Sequence, residues 1–191
     1  MTGLIIFFVI GIIILIILAI SGSGMPRHNK DLWENITEES LNDLISQGFD
    51  INQKDDKGAT PLMYVSGLNK DTKIVELLIK NGANVNDTNL IGYTALHYTV
   101  CYALDYKIAE VLLKNGANVE CRDHNGSTPL ISCCIRDSDY KFVELLLKYG
   151  ANIEAIDRFG ETAKDSIAEK DSPNAKKIKK LLNEAKLQKK R

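Results

Sequence analysis

Histidine, proline and tryptophan are scarce in this chain, with three, four and one respectively among 191 residues. The four cysteines, Cys101, Cys121, Cys133 and Cys134, are spaced too irregularly for a disulfide framework. No Cys or His pair stands at zinc-binding spacing. The adjacent Cys133 and Cys134 would point in different directions on a helix, which makes them core thiols rather than ligands or nucleophiles. A glycine-rich phosphate loop, a nucleophile elbow and a paired acid/base constellation are also missing. Charge of one sign is missing as well: the formal net charge is −1, so no global attraction to nucleic acid is expected. These absences argue against an enzyme and against any cofactor or metal, and they leave surface binding as the place to look.

Periodicity is what the chain does have. Gly58, Gly92, Gly126 and Gly160 recur at steps of 34 residues, and a second series, Gly48, Gly82, Gly116 and Gly150, keeps the same step. A fixed period of this length marks a stacked-repeat protein. Thr60, Thr94, Thr128 and Thr162 stand where a hydroxyl accepts the orphan N–H groups of a helix start, and Pro61 and Pro129 follow at the first helical position, where a missing N–H costs nothing. Asp71, Asp105 and Asp139 are placed to cap a second helix. Its apolar residues fall at i, i+3 and i+4: Ile74, Leu77, Leu78; Ile108, Val111, Leu112; Phe142, Leu145, Leu146. Gly82, Gly116 and Gly150 then end that helix by taking the left-handed conformation.

With Thr-Pro-Leu opening the first helix and Gly-Ala-Asn-Val-Asn closing the second, the unit resembles the ankyrin repeat, from about Leu32 to Leu187. The resemblance implies an all-α fold, a solenoid of turn–helix–helix units. The divisions expected are a capping half-repeat at 32–54, full repeats at 55–88, 89–122 and 123–156, a closing repeat at 157–187 and a basic tail at 188–191. Trp33 is expected to pack over the first full repeat. Departures are visible: a period one longer than the family's usual about 33 residues, Ala95 in place of proline, and only His97 at the family's histidine position, where Met63 and Ile131 stand in the neighbouring units. His97 with Thr94 is similar to the family's structural pairing of a ring hydrogen-bonded into the turn. Lys164 replaces the apolar Leu of the motif, as a unit with a polar outer face would.

The N-terminus does not belong to such a stack. Leu4 to Ile20 is seventeen residues without a polar side chain, about the length a membrane-spanning helix needs. Residues 1–21 are therefore expected to form a single-pass transmembrane helix, with 22–31 as a tether. A cleaved signal peptide and a foreign fusion joint at Ser21-Gly22-Ser23-Gly24 are the competing readings. Arg27 and Lys30 just after the apolar run favour the repeat domain on the cytoplasmic side. Glycosylation sequons at Asn35, Asn86 and Asn125 are set aside, because turns use these residue types anyway.

The other end is basic. Lys176 to Arg191 carries eight basic residues and one acidic, Glu184. A solvated outer helix face is the simpler expectation, and contact with anionic lipid is the sharper one. With no aromatic residue among these lysines, nucleic acid is not an expected partner.

In ankyrin-like stacks the turn tips and the exposed side of the first helices meet protein partners. Carried over by position, that face holds Asp56 and Lys57; Leu90, Ile91 and Tyr93 with Tyr102; His124 and Asn125 with Ile135 and Arg136; and Arg158 and Phe159. Apolar and aromatic side chains at Leu90, Ile91, Tyr93, Tyr102 and Phe159, where turn tips are normally polar, mark interface anchors. The expected protein is a membrane-tethered monomer that binds another protein; a soluble or secreted ankyrin effector without a membrane role is the alternative.

Overall fold

A computed structural model describes residues 30–68, 71–103 and 106–188. The expected transmembrane segment and most of the tether lie outside these residues, as does Asp105. Among the described residues ten helices run in order: α1 (Lys30–Asn35), α2 (Glu38–Ser46), α3 (Pro61–Leu68), α4 (Thr72–Lys80), α5 (Ala95–Tyr102), α6 (Tyr106–Lys114), α7 (Pro129–Arg136), α8 (Tyr140–Lys148), α9 (Ala163–Ile167) and α10 (Pro173–Gln188). Among the described residues there is no β-strand, only an isolated antiparallel bridge between Ile156 and Thr162. No described helix is long and apolar enough to cross a membrane.

The helices form two layers. Odd-numbered helices stack α1 on α3, α3 on α5, α5 on α7 and α7 on α9, and even-numbered helices stack α2 on α4, α4 on α6, α6 on α8 and α8 on α10. Apart from the longer α10, each of these helices has nine residues or fewer and is too short to be stable alone, since nucleation is unfavourable and so few residues add little by propagation. Burial between layers supplies the stability, and one continuous core runs from Trp33 through Leu62, Leu96 and Leu130 to Ile178. Trp33 is fully buried, its ring 5.9 Å from that of Phe49, and closes the N-terminal end of the stack.

The expected caps form where they are described. Thr94 Oγ1 and Thr162 Oγ1 accept from the backbone N–H three residues on, and Asp71 and Asp139 accept from the N–H of Lys73 and Lys141. The buried stripe of the second helix is shifted from expectation. Val75, Ala109 and Val143 are buried beside Ile74, Ile108 and Phe142, whereas Leu77 and Val111 are half-buried. The reason is that the second helix packs both on its own first helix and on the next unit's second helix, so its apolar arc is wider than a single-partner stripe.

Two ladders join successive units. At the tips, Leu90 N–H donates to Lys57 O at 2.9 Å, His124 N–H to Ile91 O at 3.0 Å and Arg158 N–H to Asn125 O at 2.8 Å. At the other end, the Asn52 amide donates to Gly82 O at 2.9 Å and accepts from Asn84 N–H at 2.8 Å, and Asn86 repeats both bonds with Gly116 and Asn118. Glu120 stands at the next step, where its carboxylate accepts from Asn152 N–H at 2.8 Å but has no N–H to give Gly150 O. This is why the second Asn of Gly-Ala-Asn-Val-Asn is there: it stitches one repeat to the next.

Candidate functional site

Each tip is built by one short polar side chain. Asp55 Oδ1 accepts from Lys57 N–H and Ala59 N–H, Asn89 Oδ1 from Ile91 and Tyr93, Asp123 Oδ1 from Asn125 and Ser127, and Asp157 Oδ1 from Phe159 and Glu161, all between 2.8 and 3.0 Å. A carboxylate or amide oxygen folded back on the backbone in this way holds the turn without any strand beyond it. The two residues after it are thereby pushed outward. Those are the positions of Asp56 and Lys57, Leu90 and Ile91, His124 and Asn125, and Arg158 and Phe159, and all eight are exposed.

The apolar ones matter most. Leu90 is 67% exposed, Ile91 53%, Phe159 73% and Tyr102 49%, and Leu90, Ile91 and Tyr102 lie together rather than scattered singly. Tyr93 departs from expectation. It is half-buried, its ring stacked on that of His97 at 5.2 Å and edge-on to Tyr98 at 6.3 Å, so it supports the face from behind rather than presenting an anchor. Burial pushes its hydroxyl up to about 12, with neighbouring Cys101 and Asp123 adding to the rise.

Asp56, Lys57, Leu90, Ile91 and Tyr102 come together around one open groove of about 450 Å³, closed on its inner side by Tyr64, Leu68, Asn89 and Tyr98. His124, Asn125, Ile135, Arg158 and Phe159 continue the same face at later repeats, and Arg136 joins the groove indirectly by lying over the Tyr102 ring, 5.2 Å from its centroid. Neither Tyr64 and Tyr98 nor the Asp/Asn series at 55, 89, 123 and 157 is among the candidate residues of the sequence, yet both carry a signal there: the tyrosines recur one period apart on the first helix, and the Asp/Asn series recurs at every period. Tyr64 donates to Asp55 Oδ2 at 2.6 Å, and Tyr98 Oη accepts from the Asn89 amide at 3.2 Å. Burial and then the Asp55 hydrogen bond raise the Tyr64 hydroxyl well above its ordinary range.

The groove is confined to the first two tips because the later first helices carry Ser132 and Ser166 where Tyr64 and Tyr98 stand. Gly67 shapes its wall. A Cβ there would lie 3.3 Å from Tyr98 O and 3.4 Å from Tyr102 Cβ, so a side chain at this position would fit only if α3 and α5 gave way by a few tenths of an ångström.

Behind the tips, His97 is fully buried. Its Nδ1 accepts from Thr94 N–H at 3.3 Å and faces Thr94 Oγ1 at 3.1 Å, and Nε2 lies 3.3 Å from Ser127 O. Those partners require the tautomer with hydrogen on Nε2, donating to the next repeat's turn. Cys121 Sγ is 3.5 Å from the same ring, but burial pushes the thiol up to about 11, and burial lowers the imidazole below its ordinary value. A protonated thiol beside a neutral ring is not an activated nucleophile. Cys133 and Cys134 are buried and their thiols are also raised, by burial first. Among the described residues no three His, Cys, Asp or Glu side chains gather as metal ligands.

Protonation of His97 should be visible in stability. Its folded pKa lies below the ordinary 6.5, so the unfolded chain binds the extra proton first and stability falls as pH drops below that value. One such group contributes a slope of at most about 1.4 kcal/mol per pH unit. Replacing His97 with Met, the residue that stands at position 63 of the preceding repeat, is expected to flatten this part of the dependence. Chemical denaturation at about pH 7 and about pH 5 checks it; an unchanged slope would show that His97 does not carry it.

The basic helix α10 is largely occupied with its own protein. Lys176 pairs with Asp171, Lys180 with Glu184 and Lys186 with Glu154, Lys179 donates to the carbonyls of Ala168 and Lys170, and Lys177 lies over the Tyr140 ring. The helix start is held by Asn174, whose amide donates to Asp137 and Ser138 and accepts from Tyr140 N–H at 2.9 Å.

A stack of helix pairs joined at outward turn tips defines a solenoid of turn–helix–helix repeats. The family model described as ankyrin repeats (3 copies) matches residues 33–123 and again 102–191. The chain belongs to the ankyrin-repeat family. A comparison with curated proteins finds no match.

Proposed function

We propose that this ankyrin domain is a protein-interaction module whose contact surface is the row of tips from Asp56 to Phe159 together with the exposed ends of α3, α5 and α7. The observation that carries this is the placement of Leu90, Ile91, Tyr102 and Phe159 in solvent on backbone locked by side-chain and inter-repeat hydrogen bonds. A rigid apolar surface loses little conformational entropy when covered, the arrangement that favours binding. The proposed role is not enzymatic. Changing Leu90, Tyr102 and Phe159 together to Ser is expected to weaken capture of the cellular partner by at least about tenfold while circular dichroism and melting stay as in the parent. Full retention of every captured protein would place the contact surface elsewhere.

A second element of the proposal concerns the N-terminus. The uninterrupted apolar run from Leu4 to Ile20 favours a single-pass membrane tether, with the repeats on the cytoplasmic side. Carbonate-washed membranes of the native host should retain the chain if this holds. Recovery wholly in the soluble fraction would establish the untethered module instead. For α10, the intramolecular partners of its lysines favour a solvated face over a lipid-binding one.

A further inference from the structure

We infer that the tyrosine-lined groove at the first two tips takes an extended peptide segment whose aliphatic side chains are flanked by carboxylates. The inference rests on the protein-binding reading above and narrows it to one class of partner.

Consider what the groove leaves unsatisfied. Its anionic and accepting groups are spent internally: Asp55 on two backbone N–H groups and the Tyr64 hydroxyl, the Asn89 oxygen on two more N–H groups. Asp56 at the rim makes an interaction of its own. Tyr98 Oη accepts from the Asn89 amide, so its hydroxyl hydrogen is left to point toward a visitor. Two cations bracket the rings. Lys57 stands on the first tip at the groove's edge, and Arg136 lies over Tyr102 beyond its far side. Both are exposed, and among the described residues neither is paired with a carboxylate, whereas Lys54, Lys73, Lys114, Lys176, Lys180 and Lys186 are.

The groove therefore offers donors and positive charge around an apolar trough of Leu68, Leu90, Ile91 and phenol rings. A segment bearing Asp or Glu beside Leu, Ile or Val complements both features, because its carboxylates meet Lys57, Arg136 and the Tyr98 hydroxyl while its aliphatic groups cover the rings. A basic segment meets like charge at Lys57 and at Arg136, and Asp56 on the same rim already makes an interaction of its own. The groove spans two neighbouring repeats and is rimmed by tips fixed through the Leu90 to Lys57 hydrogen bond, an arrangement that suits an extended chain laid across them.

The test is a selection of phage-displayed random peptides on the full-length chain, followed by fluorescence anisotropy with the selected peptides. Enrichment of Asp or Glu next to aliphatic residues is expected, with binding that weakens as salt is raised. The double variant Lys57→Glu, Arg136→Glu should lose at least about tenfold in affinity, and a peptide with Lys in place of its acidic residues should recover binding to that variant. Selected peptides that are neutral or basic, yet lose binding in Tyr102→Ser and Leu90→Ser, would overturn the acidic-partner inference and leave the groove as a docking site. Peptides indifferent to all four positions would overturn the groove itself. Self-association of the chain that is abolished by Leu90→Ser would replace the peptide with a second copy.

Discussion

Substituting alanine for Gly92 is expected to destabilise the protein by about 3 kcal/mol or more, among the largest effects of any single-residue change outside the helical core. Two costs add. Gly92 has φ +80°, a conformation that a residue with a Cβ adopts only with strain. Independently, a Cβ at this site would lie 2.8 Å from His124 N and 3.0 Å from Asp123 C, which are backbone atoms of the next tip and cannot swing aside. Relief requires the two turns to separate, which stretches the His124 to Ile91 hydrogen bond that links them. Gly160 provides the control. It has φ +79°, but nothing lies within 4 Å of its added Cβ because no further tip follows. Gly160→Ala should therefore cost only the backbone strain, about 1 kcal/mol. Urea denaturation of the two variants separates the terms, and equal losses would refute the contribution of tip-to-tip packing.

Asp123→Ala is expected to cost about 2 to 3 kcal/mol and to loosen the middle of the row of tips. The Asp123 side chain is buried, and Oδ1 holds Asn125 N–H at 2.8 Å and Ser127 N–H at 2.9 Å. Alanine leaves both donors without their partner, and the buried Ser127 N–H has no easy route to water. Asn89 performs the same task one repeat earlier with an amide oxygen, so Asp123→Asn should stay within about 1 kcal/mol of the parent. Hydrogen exchange gives a local readout. The amides of Asn125 and Ser127 should lose protection in the alanine variant and keep it in the asparagine one. If alanine and asparagine behaved alike, the turn would be held by the inter-repeat ladder rather than by this side chain.

How the surface became legible follows from the same two devices. The repeat and its helix starts could be read because Gly, Thr and Asp at those positions answer local demands: a left-handed turn, orphan N–H groups, a chain reversal. Leu90, Ile91 and Phe159 could be placed on tips by counting alone, and the structure puts them there exposed. Tyr93 could not be assigned that way. It sits in phase with Ala59, Ser127 and Glu161, and only the position of the His97 ring behind it turns it inward. Likewise Tyr64 and Tyr98 look like ordinary helix residues until Gly67 brings α3 against α5 and turns their rings into the groove wall.

Local chemistry recurring at one period was enough to set the element order, the caps, the turns and the family, because each depends on residues within a few positions of one another. What lies between repeats is different in kind. The Asn52 and Asn86 stitches, the clash that excludes a side chain at Gly92 and the grouping of Lys57, Leu90, Tyr102 and Arg136 around one groove join residues about a repeat or more apart. Their geometry depends on how closely one helix pair settles on the next, and packing across the whole core decides that distance.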